Sequence, residues 1–173
     1  AAVAALHLQF FAPAFADLGQ QRLQRLAIAK QKTEQMAAAA KLNVDRGAQI
    51  IDINMGCPVN KVVSKGGGSA LMKEVQNLAP LFETMKKKMK VPLSIKIRTG
   101  WDSNSRNAQE ILKIAHESGI EWVAIHGRTR TQQYTGFADW DFIESLHEDR
   151  KIPLIGNGDL HHPFGTSERL QKT

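Results

Sequence analysis

Cysteine is the scarcest reactive residue in this 173-residue chain, which holds one, Cys57. A single thiol excludes an internal disulfide and fits a reducing compartment, here read as the cytoplasm. No apolar run approaches the roughly 18 residues that a membrane-spanning helix needs. Neither G-x-G-x-x-G nor H-E-x-x-H occurs, which argues against a dinucleotide-binding doubly wound sheet and against a zinc-protease centre. His161-His162 is too small a donor set to imply a metal, and none is expected.

What is present is a modest basic surplus. The chain has 23 Lys and Arg against 17 Asp and Glu, a net charge of +6 and a pI near 9.6. That balance suits a polyanion such as RNA without requiring one. Residues 1–32 stand apart, rich in Ala, Leu, Gln and Phe, with no starting Met and no strand–turn–helix rhythm. Ala14-Phe15-Ala16 looks like a signal-peptidase site, but no basic segment precedes it. This segment is expected to be a leader extraneous to a domain at 33–173.

From Thr33 the rhythm is regular. Thr33 is placed to cap a helix to about Arg46, with Met36, Ala40 and Val44 on one face and Gly47 as the stop. Residues 49–54 read as a buried strand. Leu78, Leu81, Phe82, Met85 and Met89 recur at helical spacing, with Lys86, Lys87, Lys88 and Lys90 near the negative end of that helix. Residues 93–98 form the next strand. Asn107 and Glu110 are spaced as a capping box for a helix ending near Gly119. A strand at 121–126, a short helix from Trp140 to His147 and a strand at 154–157 follow. The alternation predicts parallel βα units.

Each predicted strand ends in polar groups: Asn54 and Cys57, Lys96 and Arg98, His126 and Arg128, Asn157 and Asp159. Function at successive strand ends favours a (β/α)8 TIM barrel over a doubly wound sheet. A whole barrel needs roughly 250 residues, so about four βα units read as a partial barrel. Cys57 follows Gly56 and precedes Pro58 where a strand gives way to a loop. Alternation sends Lys96 and Arg98 toward the barrel mouth, where a cation wants an anionic or electron-rich partner. His126 could equally be a core histidine satisfied by a carbonyl. Asn157-Gly158-Asp159 could be an ordinary turn or a phosphate cradle, and Gly66-Gly67-Gly68, flanked by Lys61 and Lys65, a plain mobile loop.

Asp52-Ile53-Asn54-Met55-Gly56-Cys57-Pro58, Lys96-Ile97-Arg98, Ile125-His126-Gly127-Arg128-Thr129 and Asn157-Gly158-Asp159 follow in order, each at a strand end. With these, residues 33–173 resemble the tRNA-dihydrouridine synthases, most of all the bacterial B-type branch. The resemblance implies an FMN-dependent barrel that reduces uridine in tRNA to 5,6-dihydrouridine with NADPH. It casts Cys57 as the acid that protonates C5. That role needs a thiol that keeps its proton, so an activated thiolate would be the wrong design. It casts Asn54, Lys96, His126, Asn157, Gly158 and Asp159 as cofactor-binding, and Arg98, Arg128 and Arg130 as RNA contacts. The family's proline-methionine-alanine and glutamine-bearing strands find no match in the leader. Two alternatives stay open: a truncated, inactive remnant with at most weak RNA binding, and a dihydroorotate dehydrogenase-like barrel acting on a free pyrimidine.

Overall fold

The structure, a computed structural model, describes residues 3–6, 18–146 and 151–160. Five short segments, each carrying Ile or Val, form strands: β1 (Val3–Leu6), β2 (Ile50–Asn54), β3 (Leu93–Arg98), β4 (Trp122–His126) and β5 (Leu154–Asn157). All pair in parallel, and their order across the sheet is their order along the chain. Between them run the helices α1 (Leu18–Asp45), α2 (Asn60–Val63), α3 (Leu78–Lys88), α4 (Ala108–Glu117) and α5 (Trp140–Ser145).

Alternation along each strand sorts residues by face. Ile51, Ile53, Leu93, Ile95, Ile97, Val123 and Ile125 are buried in one core with Phe82 and Met85 of α3 and Ile111 of α4. The opposite face carries Asp52, Asn54, Ser94, Lys96, Arg98, His126 and Asn157. Register stacks these into layers: Asp52 beside Ser94, then Asn54 beside Lys96, then Arg98 beside His126 beside Asn157. A doubly wound sheet reverses its strand order and buries both faces. Strands in chain order, with the apolar core on one side and polar groups on the other, are a segment of a (β/α)8 barrel.

The structure departs from the sequence reading in three places. The first is β1, a fifth parallel strand inside the segment read as lacking one; its Val3 pairs with Ile50. Pairing with β2 outweighs the weak β-propensity of an Ala-rich stretch, because strand propensity is largely context. The second is α1, which starts at Leu18, so Thr33 lies in its interior and caps nothing. From Gln20 to Asp45 the chain has neither Gly nor Pro and is dominated by strong helix formers. The third is Asn107, which flanks α4 without a side-chain cap and instead donates from Nδ2 to the Met72 carbonyl at 2.7 Å. His147 and His161-His162 lie outside the described residues, as does Ala14-Phe15-Ala16.

Candidate active site

The Cys57 loop is built by its own sequence. Asn54, the last residue of β2, accepts from the backbone N–H groups of Gly56 (3.1 Å) and Cys57 (3.0 Å). That turns the chain sharply at the strand end. From below, Ser69 N–H donates to the Cys57 carbonyl at 3.0 Å. Gly68 has φ +54°, and a Cβ there would fall 2.6 Å from that carbonyl. The glycine triplet is therefore a support pressed under Cys57, with Gly67 and Gly68 both buried, and the mobile-loop reading is set aside.

Arg98 ties this loop to the one after β4. Buried at 3% exposure, it donates from Nε to the Gly56 carbonyl (2.9 Å) and from Nη1 to the carbonyls of Thr129 (2.9 Å) and Gln133 (2.8 Å). Burial is the main pull lowering its pKa. Gln133 accepts this bond from a left-handed backbone, φ +51°. Next along the layer, Lys96 Nζ donates to Asn157 Oδ1 at 3.2 Å. Burial first, then the Arg98 charge, lower the pKa of Lys96, while Asp52 raises it.

His126 is buried, and its pKa is pushed down to about 4, by burial first and then by Arg98, Lys96 and Arg128, against Asp159. It is neutral at pH 7. Arg128 Nη1 lies 3.2 Å from its Nε2. Arg128 is itself buried and paired with Asp159, Nη1 to Oδ1 at 2.8 Å. Asp159, at φ +55°, also accepts from the Ala138 N–H at 2.6 Å. Gly158, at φ +120°, leaves room for the His126 ring and accepts from Trp140 Nε1 at 2.9 Å.

These groups enclose a pocket of about 590 Å³ at the C-terminal end of the sheet. Of the residues expected from sequence, Asn54, Cys57, Lys96, Arg98, His126 and Asn157 line it. Gly158, Asp159, Arg128 and Arg130 sit behind or beside it. Arg98 and Arg128, expected to reach RNA, spend the donors described above inside the protein. Arg130 is at the rim, donating to Asn60 Oδ1 at 2.5 Å and stacked 4.7 Å from the Trp101 ring, whose other cation is exposed Lys73. Sequence reasoning missed Tyr134 and Asn60, which also line the pocket. Tyr134, 77% exposed, lies 6.4 Å from His126 between ring centroids, with Arg98 at 5.8 Å from its ring. The only signal for it was its being the sole tyrosine of the chain, a few residues past a functional strand end.

Among the described residues no helix is long and apolar enough to cross a membrane. A ligand-free DHODH from Eimeria tenella has a similar fold, with TM-score 0.53 and 12% identity over 75% of this chain and 44% of that one. A probable tRNA-dihydrouridine synthase from Rickettsia conorii is 50% identical over 138 residues, 80% of this chain and 42% of that protein. The tRNA-dihydrouridine synthase B of Pseudomonas syringae pv. tomato is 45% identical over 146 residues, 84% of this chain and 43% of that protein. The chain thus spans less than half the length of these curated relatives. The model of the family described as dihydrouridine synthase matches residues 4–173, taking in most of the segment set apart by its composition. The chain belongs to the dihydrouridine synthase family.

Proposed function

We propose that this chain carries the active-site part of a tRNA-dihydrouridine synthase, a cytoplasmic enzyme that reduces uridine in tRNA with FMN and NADPH. The observation that carries the reading is the meeting of Cys57, Lys96, His126 and Asn157 on one pocket at the strand ends. The residues present fit a flavin. The pocket falls within the size range of cofactor sites, and it holds a half-buried ammonium, Lys96, which donates a hydrogen bond to the neutral Asn157 side chain. That cation suits the negative charge that builds on a reduced ring. Bound there, FMN would supply the hydride, with NADPH as its reductant.

The protein's own groups do the rest. Cys57 is the general acid, held at the mouth by the Asn54 turn beneath it and aimed by the Arg98 tie. Lys96, His126 and Asn157 form the cofactor wall, while Gly158 and Asp159 act from behind it by seating His126 and Arg128. Of the basic residues, Lys73 and Lys61 are exposed and Arg130 is half-buried at the rim; these three suit tRNA phosphates. Arg98 and Arg128 act through the loops they hold. The site residues all fall in 33–173, the unit that the sequence reading separated from 1–32.

One assay tests this reading. The purified chain is titrated with FMN, then given NADPH and unmodified tRNA, and dihydrouridine is quantified. Flavin uptake with product on tRNA supports the synthase. A colourless chain without product counts against it, and turnover of free uracil or orotate instead of tRNA overturns the tRNA substrate.

A further inference from the structure

Arg128 follows a functional histidine at two residues' distance and would ordinarily be read as a cation awaiting RNA. Its surroundings say otherwise. The guanidinium is 6% exposed and satisfied on several sides: Nε donates to the Thr135 carbonyl (3.3 Å), Nη2 to the Gly136 carbonyl (2.6 Å) and to Asp159 Oδ2 (3.0 Å), and Nη1 pairs with Asp159 Oδ1 (2.8 Å). Nη1 also meets His126 Nε2 at 3.2 Å. An arginine can only donate, so Nε2 must offer its lone pair. A neutral imidazole that accepts at Nε2 carries its proton at Nδ1.

We propose that Arg128, held by Asp159, is the positioning residue that fixes His126 as the neutral Nδ1–H tautomer, making this part of the pocket wall a hydrogen-bond donor. The inference rests on the proposed function only for the ligand that would use the donor, a carbonyl oxygen or ring nitrogen of the flavin. The charges facing His126 agree with it. Lys96 and Arg98 come from β3, Arg128 from the loop after β4, and Asp159 from the turn after β5; the three cations disfavour an imidazolium. Geometry restricts the ring further. The Cδ2–Nε2 edge lies against Gly158, where an added Cβ would fall 2.8 Å and 3.0 Å from these two atoms. A flip exchanging ring nitrogens would take the acceptor away from Arg128.

The test reads the tautomer directly. Long-range ¹H–¹⁵N spectra of the intact chain are recorded from pH 5 to 8, with the His126 signals assigned by their loss in His126→Gln. The Nδ1–H pattern throughout is expected. An Nε2–H pattern, or an imidazolium at pH 6, overturns the inference. In Arg128→Gln and in Asp159→Asn, the signal should move toward a tautomer mixture with a raised titration midpoint. FMN should bind either variant about tenfold more weakly, the scale of one misplaced hydrogen bond. An unchanged His126 signal in both folded variants overturns the role of Arg128, and so does a tautomer change that leaves FMN affinity intact. Should a variant fail to fold, the wild-type spectrum still decides. A wild-type chain whose His126 reads Nδ1–H but takes up no FMN counts against the proposed function and for this inference.

Discussion

The two faces of the sheet are made from alternate residues of the same strands, yet they obey different rules. On the helix-covered face Ile53, Ile95 and Val123 stand in register, each fully or almost fully buried. On the other face the neighbouring layer reads Asn54, Lys96, Ala124 and Ile155, with Ile155 half exposed. The first face gains by removing apolar surface from water. The second keeps a cation half buried and a histidine uncharged, arrangements that stabilise little and matter only if something binds. A single strand such as β3 therefore divides its residues between holding the fold and lining the pocket.

The sharpest way to test that division is Cys57→Ala. Cys57 touches the pocket and contributes little to the core, so stability should hold while dihydrouridine formation falls about 10²–10⁴-fold, the scale of a lost general acid. Thermal melting and product quantification on tRNA, run side by side, check it. Equal activity in the variant would remove Cys57 from the mechanism. The converse is Ile95→Ala, one residue before Lys96. Deleting a fully buried Ile side chain should destabilise by about 2–5 kcal/mol, seen as a lower urea midpoint. A loss under about 1 kcal/mol would mean the helix-covered face is poorly packed.

Much of this division was legible in the sequence, because period-two alternation of Ile with Ser, Lys and Arg needs no tertiary information. The strand ends were legible too, since Gly, Pro and Asn punctuate them. What escaped were features decided by distant partners. Asn107 has the spacing of a capping residue, but the Met72 carbonyl, 35 positions away, claims its amide. Arg98 and Arg128 have the sequence context of RNA-binding residues, and only folding shows carbonyls and a carboxylate already engaging them. β1 has weak strand propensity and exists through its pairing with β2.

His126 joins the two faces through pH. Its folded pKa, about 4, lies below the ordinary histidine value of 6.5. As pH falls, the unfolded chain takes up this proton first, so the contribution is whole above about pH 6.5 and is lost progressively down to about pH 4. Between pH 7 and 5 the chain should lose about 1–2 kcal/mol from this group, allowing for partial solvent screening. Urea midpoints at the two pH values, compared with those of His126→Gln, isolate it. A variant with the same pH dependence as the parent would show that His126 is not the titrating group.

The smallest effect lies deepest in the polar face. Ser94 is 1% exposed, one layer below Lys96, and donates from Oγ to Asp52 Oδ1 at 2.7 Å. It lines no part of the pocket that holds Cys57. If the polar face were functional throughout, Ser94→Ala would weaken flavin binding. If function is confined to the outer layers, the change should leave flavin binding alone and remove only a hydrogen bond to a charged group. Asp52 is half-buried, so water can replace the lost hydroxyl in part. The expected loss is then about 1 kcal/mol, below the range of about 1.5–3 kcal/mol for a hydrogen bond to a charge and typical of a neutral one. Urea unfolding and an FMN titration on the same preparation read both quantities. Weaker FMN binding at unchanged stability would extend the site one layer down and break the division drawn between the mouth of the sheet and its floor.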